Sequence, residues 1–297
     1  MNKLVSVIIP TYNRKEKVIK AIDSVLNQTY KNIEIIVVDD CSLDETESEI
    51  KRKYEFNKKV IYYRLESNSG ACAARNKGID ISNGELISFL DSDDEYYPDK
   101  IEKQVYTIEN DKSEICCTSF YRKEKNGEER IIHVKKGSKK EIISQLLYSN
   151  FITTGTILGY KRCFEKNKFN ETIKRFQDWE LILRLSKKYK ISLIEEPLLI
   201  QNYQAQSITS TTNHENSYKS LLIIFNNNKE LYKNDKRAQA QIKWVMAMHL
   251  LYFDRRKATK CMYSSATVGG FKVKKFMAYI MIKMHIIKPF LKKFDNV

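Results

Sequence analysis

The chain has 297 residues, of which 42% are apolar, enough for one large domain or two modest ones with a real core, and this excludes a disordered chain. Six cysteines (Cys41, Cys72, Cys116, Cys117, Cys163, Cys261) form no C-x-x-C pair and have no His at metal spacing, which argues against zinc and for thiols in a reducing compartment. The net charge of +15 is local: residues 217–297 carry 17 Lys/Arg against 4 Asp/Glu, whereas residues 1–216 carry 35 against 33. Together with 18 tyrosines that charge suggests nucleic-acid binding, but the first two thirds are nearly neutral and show no nucleic-acid module, so no nucleic-acid partner is expected.

Leu4 to Pro10 is apolar and β-branched and reads as a buried strand, too short for a signal peptide or a membrane span; a cytoplasmic location is expected. Val18, Ile22, Val25 and Leu26 recur at helical spacing, and Ile33 to Val38 is a second strand ending in Asp39-Asp40. Ser42 is expected to cap a helix over 44–54. A strand over 60–64, a helix over 71–81 and a strand over 85–90 complete a βαβαβαβ alternation. Such alternation predicts an α/β fold with a mainly parallel, Rossmann-like sheet flanked by helices and ligands beyond the C-terminal strand ends. Residues 113–134 read as two strands joined at Asn126-Gly127, a hairpin signal that adds antiparallel structure. From about residue 217 the pattern turns helical, which divides the chain into a domain over 1–216, with halves 1–112 and 113–216, and a basic helical extension over 217–297.

Three polar clusters fall at strand ends: Thr11-Tyr12-Asn13, Asp39-Asp40 and Asp91-Ser92-Asp93-Asp94. Three carboxylates after one buried strand repel one another unless a hard cation such as Mg²⁺ or Mn²⁺ relieves them, whereas any single Asp there would read as a cap. Asp39-Asp40 can accept from a base or ribose, or cap the turn with Ser42. Tyr12 can stack on a base or pack in the usual way. Arg75 and Lys77 follow the flexible Ser69-Gly70-Ala71, and Arg75 is the better phosphate ligand because its fork is bidentate. Asp178, in Phe176-Gln177-Asp178-Trp179, is either a helix N-cap or a general base.

These segments resemble the inverting family 2 glycosyltransferases with the GT-A fold. The stretches that carry the resemblance are Val5 to Asn13, Val37 to Ser42, Gly70 to Gly78, Leu90 to Asp94 and Gln177-Asp178-Trp179, in the family's order, from Lys3 to about Ile208. The resemblance implies a hexosyltransferase that moves a sugar from a nucleotide-sugar, in the first instance a UDP-sugar, to a hydroxyl of a glycan or lipid-linked acceptor in bacterial surface polysaccharide synthesis. It implies that Pro10, Thr11, Tyr12, Asp40, Arg75, Asp91 and Ser92 bind the nucleotide-sugar, with Thr11 and Tyr12 at the nucleoside, Asp40 at the base, Arg75 by the diphosphate and Asp91 by the ribose. Asp93 would hold Mn²⁺ or Mg²⁺, Asp94 would support it, and Asp178 would be the catalytic base. This sequence departs from the family in having Gln177 where an acidic residue is usual, and in a late loop, Tyr203 to Ser207, without Arg or His. A catalytically inactive scaffold of the same fold is the alternative.

Residues 271–297 carry seven lysines and one aspartate around Phe276 to Ile282, an apolar run too short to span a bilayer. They read as an interfacial helix on the inner face of the plasma membrane, or as a helix docked on the domain or on a second copy in a homo-oligomer.

Overall fold

In the computed structural model, residues 2–124, 126–203, 213–268 and 273–283 are described. The expected alternation is present: β1 (Val5–Thr11), α1 (Lys15–Leu26), β2 (Ile33–Asp39), α2 (Thr46–Tyr54), β3 (Val60–Arg64), α3 (Ala71–Ile81) and β4 (Leu86–Phe89). Every residue of β1, β2 and β4 is buried, as strands covered on both faces require. Burying each such Val or Ile contributes about 1.5–3 kcal/mol. Helix α3 packs so closely on β1 that a Cβ at Gly78 would lie within van der Waals overlap of the Ile8 side chain.

The sheet runs β3-β2-β1-β4 in parallel and then changes character. After β5 (Glu95–Tyr96) and α4 (Lys100–Asp111) come β6 (Ile115–Lys123) and β7 (Glu129–Ile132). They form the antiparallel hairpin expected at Asn126-Gly127, where Gly127 has φ +83° and Asn126 Oδ1 accepts from the Glu128 N–H. Then follow α5 (Lys139–Tyr148), a 3₁₀ turn (Thr154–Thr156), β8 (Leu158–Tyr160), α6 (Lys161–Glu165), α7 (Gln177–Lys188) and β9 (Ile191–Gln201). β8 pairs antiparallel with β4 and β6, β9 pairs parallel with β6, and β5 closes the order antiparallel on β9. The sheet is therefore mixed: parallel in its first half and mostly antiparallel in its second.

The helices α8 (His214–Asn227), α9 (Lys229–Asn234), α10 (Lys236–Leu250), α11 (Arg255–Thr267) and α12 (Val273–Lys283) follow. The chain divides into two compact units, one of Met1–Ile142 with Phe151–Glu171 and Gln177–Ser207, the other of Ile143–Asn150 with Thr172–Phe176 and Ile208–Val297. In the second, Asn213, Asp235 and Asp254 side chains cap α8, α10 and α11. Its core joins Ala247, Met248, Leu250 and Met262, with Tyr279 of α12 packed against them. The Lys275 ammonium donates to Ala240 O and Ser265 Oγ, so the described part of the basic tail is docked on its own helical unit while Met277 is exposed. Residues 284–297 and 204–207 of the late loop lie outside the described residues. Among the described residues no helix is long and apolar enough to cross a membrane.

Ser42 does not cap α2. Its hydroxyl donates to Asp39 Oδ1 and accepts from the Asn13 N–H, tying the ends of β1 and β2 together, while Asp44 receives the Thr46 N–H at the start of α2.

Candidate functional site

The ends of β1, β2 and β4 carry the three polar clusters, because β1 pairs with β2 and β4 in register to their last residues. Asp39 is a structural carboxylate: Oδ1 accepts from Ser42 and Oδ2 from the Tyr62 hydroxyl at 2.6 Å. Asp40 accepts the Ser69 and Gly70 backbone N–H groups, one on each oxygen, at 2.7 and 2.8 Å. This fixes the turn into α3, where Gly70 has φ +92°, a conformation a side chain would strain. Thr11 is buried and its hydroxyl has no partner among the described residues, whereas Tyr12 is 39% exposed, as a ring offered for stacking must be. Lys77 lies over the Tyr63 ring, 4.4 Å from its centroid.

The acidic turn follows β4 and is held in shape by its own backbone and by the residue after β9. The Asp94 N–H donates to Asp91 O, and Asn202 donates its N–H to Asp94 Oδ1 and its amide to Asp93 O. Asp91 pairs with Arg75 at 2.5 Å and Asp93 with Arg14 at 2.8 Å; Arg14 also reaches the buried Ser92 hydroxyl at 3.5 Å. Burial pushes the Asp93 carboxyl above its ordinary value, with Asp91 adding to this and Arg14 opposing it. Asp94 is pushed well above its ordinary value by burial, then by Asp91 and Asp93.

This repulsion is the condition a divalent cation relieves, and the donor set of hard oxygens suits Mg²⁺ or Mn²⁺. Among the described residues no group of three or more His, Cys, Asp or Glu is arranged to hold a metal by itself. One or two carboxylates with the rest of the shell left to phosphate and water is the usual Mg²⁺ arrangement, and the turn fits it.

Arg75 is buried and connects the turn to α7: Nη2 donates to Asp91 Oδ1 and Nη1 to Gln177 Oε1 at 3.0 Å, with the guanidinium 5.3 Å from the Phe169 ring centroid. Asp178, next to Gln177 in the chain, is therefore linked through Arg75 to the acidic turn from 84 or more positions away in sequence. Its Oδ1 accepts from the Trp179 N–H, and its charge acts on both Arg75 and Arg122. Phe176, just before α7, has φ +61°, an uncommon conformation for an aromatic residue and one that tends to occur at functional turns.

Three contributors escape a reading of the sequence alone. Arg14 directly follows the Thr11-Tyr12-Asn13 cluster, and that adjacency is the signal that could have found it. Asn202 and Arg122 reach the site only through the pairing of β9 with β5 and β6, which no local pattern announces.

A model of the family described as glycosyl transferase family 2 matches residues 6–167. The chain is 37% identical over 195 residues to an uncharacterised glycosyltransferase of Rickettsia felis, covering 65% of this chain and 32% of that one. It thus spans about a third of the length of that relative. It is 30% identical over 203 residues to the amylovoran biosynthesis glycosyltransferase AmsB of Erwinia amylovora, covering 65% and 67% of the two chains. Its fold matches Staphylococcus aureus TarS 1–349, solved with UDP-GlcNAc, with a TM-score of 0.66 at 17% identity over 96% of this chain and 88% of that one. It also matches the mannosyltransferase PcManGT of Pyrobaculum calidifontis, solved with GDP-Man and Mn²⁺, with a TM-score of 0.64 at 16% identity over 100% and 84%. The mixed sheet flanked by helices is thus of the GT-A type, and the chain belongs to glycosyl transferase family 2.

Proposed function

We propose that the chain is an inverting, metal-dependent transferase that moves a sugar from a UDP-sugar to a hydroxyl of a glycan or lipid-linked acceptor during synthesis of a bacterial surface polysaccharide. The observation that carries this reading is the Arg75 guanidinium, bonded at once to Asp91 of the acidic turn and to Gln177 beside Asp178. A link between the turn and the start of α7 supports a reading in which the turn holds the donor and Asp178 is the base. The UDP-GlcNAc complex of the structural neighbour TarS and the polysaccharide role in the name of AmsB favour this donor and product class.

In this reading Tyr12 stacks on the base, the Thr11 hydroxyl and Pro10 border the nucleoside, Asp40 reads the base with the acceptor capacity left beside the Ser69 and Gly70 N–H groups, and Asp91 and Ser92 face the ribose. Arg75 keeps its positive charge at the diphosphate. Asp93, supported by Asp94, would hold Mn²⁺ or Mg²⁺, which when bound offsets charge on the departing diphosphate. Asp178 accepts the proton of the acceptor hydroxyl as that oxygen attacks the anomeric carbon opposite the leaving group, and one such displacement inverts configuration. Residues 1–112 serve the donor, 113–216 the acceptor, and 217–297 form an accessory helical region whose end meets an anionic membrane surface on the cytoplasmic side. The seven lysines of residues 271–297 and the exposed Met277 support that last step.

The test is release of nucleoside diphosphate from a panel of UDP- and GDP-sugars with Mn²⁺. We expect turnover of a UDP-sugar, lost with chelator and with Asp93→Ala. Binding of no nucleotide-sugar by calorimetry would overturn the reading and leave a non-catalytic scaffold. Co-sedimentation with anionic vesicles tests the membrane step, and failure to bind at low salt would remove it.

A further inference from the structure

Arg122 stands at the end of β6, opposite Gln201 of β9 in the parallel register and opposite Arg130 of β7 on its other side. Its Nε donates to Gln201 Oε1 at 2.8 Å, and Gln201 in turn reaches Thr153 Oγ1 at 3.3 Å. The next residue, Asn202, clamps Asp93 and Asp94. Arg122 is thus one hydrogen bond and one peptide bond from the residue that shapes the acidic turn. The guanidinium lies 5.5 Å from the Phe120 ring centroid and is half-buried.

Among the described residues it forms no ion pair, and its two terminal nitrogens have no hydrogen-bond partner. This differs from Arg14 and Arg75, each of which is paired with a carboxylate of the turn. Burial lowers the guanidinium below its ordinary value, and the carboxylates of Glu124, Asp178 and Asp94 oppose that while Arg130 adds to it. A guanidinium remains charged at any working pH, and a partly desolvated cation without a paired carboxylate is costly unless a ligand supplies a counter-charge. Its free fork matches a carboxylate or phosphate bidentately.

In the proposed function the donor diphosphate falls to Arg75 and the acidic turn, which Arg75 contacts directly through Asp91, whereas Arg122 reaches that turn only through Gln201 and Asn202 and so is left for a different anionic group. We infer that Arg122 is a specificity-determining residue that binds an anionic group, carboxylate or phosphate, on one of the two sugars meeting at Asp178. Glycans bearing uronate or phosphate thus become the substrate class of this site. The inference rests on the proposed transferase function.

The experiment is calorimetry on the full chain and on Arg122→Gln and Arg122→Lys, with Mn²⁺ present. The donor arm compares UDP, UDP-glucose and UDP-glucuronate; the acceptor arm titrates glucose, glucuronate and glycerol 3-phosphate into the UDP complex. We expect the native chain to prefer an anionic probe over its neutral counterpart by about tenfold in one arm, the arm identifying which sugar carries the charge. Arg122→Gln should erase that preference and Arg122→Lys keep part of it, with affinity for UDP itself unchanged in both. No preference in the native chain, an undiminished preference in Arg122→Gln, or a loss of UDP affinity in that variant overturns the inference. Failure of the native chain to bind UDP or any UDP-sugar would instead strike the transferase reading.

Discussion

Arg75 and Gln177 are 102 positions apart in sequence, yet Arg75 Nη1 donates to Gln177 Oε1 at 3.0 Å, while the same guanidinium holds Asp91. A neutral amide at position 177 leaves Asp91 as the charged hydrogen-bond partner of that guanidinium. Arg75→Ala should therefore expose a partly buried carboxylate without a counter-charge and unlink α7 from the acidic turn. The expected cost is about 3–5 kcal/mol in denaturant unfolding, with nucleotide-sugar affinity lost alongside. A change under about 1 kcal/mol, within the range of exposed pairs, would show that the link is not structural.

Asp93 and Asp94 titrate above their ordinary carboxylate value in the folded chain. The folded state therefore holds these protons to higher pH than the unfolded state does. Their contribution to stability falls as pH rises from about 4 through the folded values and is fully lost above them. Asp94→Asn removes a buried charge and its share of the repulsion with Asp91 and Asp93, and keeps an oxygen for the Asn202 N–H. It should raise the metal-free Tm at neutral pH by a few degrees and blunt the stabilisation that Mn²⁺ gives the native chain.

Lys100 is fully buried, donating to Gln104 Oε1 at 2.6 Å with its ammonium 4.0 Å from the Tyr96 ring centroid. Burial lowers its pKa from 10.5 to about 7. Between those values the unfolded chain carries a proton that the folded chain does not, so stability should climb as pH rises from about 7 to about 10.5. Lys100→Met should flatten that climb in denaturant titrations at about pH 7 and about pH 9. Identical slopes for both proteins would show that the lysine stays charged in the fold.

Gly70→Ala tests the turn that Asp40 holds. An added Cβ at Gly70 meets nothing within 4 Å, so the cost comes from φ +92° alone. About 1–2 kcal/mol of stability should be lost, together with nucleotide affinity as the Ser69 and Gly70 N–H groups shift from Asp40.

The first half of the fold was legible because β1, β2 and β4 are short, mostly apolar runs that alternate with helical patterns and end in polar clusters, as the strands of a sheet covered on both faces do. Asp39 and Asp40 look alike in sequence and differ in the fold: the first is tied to Ser42 and Tyr62, the second to the turn before α3. Sequence spacing cannot show this, because Tyr62 and Gly70 arrive from different elements. Arg122 was hidden for a related reason. Two register irregularities between Thr118 and Tyr121 break the alternation of β6, so the face on which residue 122 lies cannot be counted from the strand's start.

The most direct measurement is donor binding and turnover in Asp178→Asn, which keeps the shape of the side chain and removes its capacity to take a proton. UDP-sugar affinity should stay within about twofold of the native chain, with transfer or donor hydrolysis in the presence of Mn²⁺ reduced about 10²–10⁴-fold. Turnover close to native in that variant would contradict the assignment of the base.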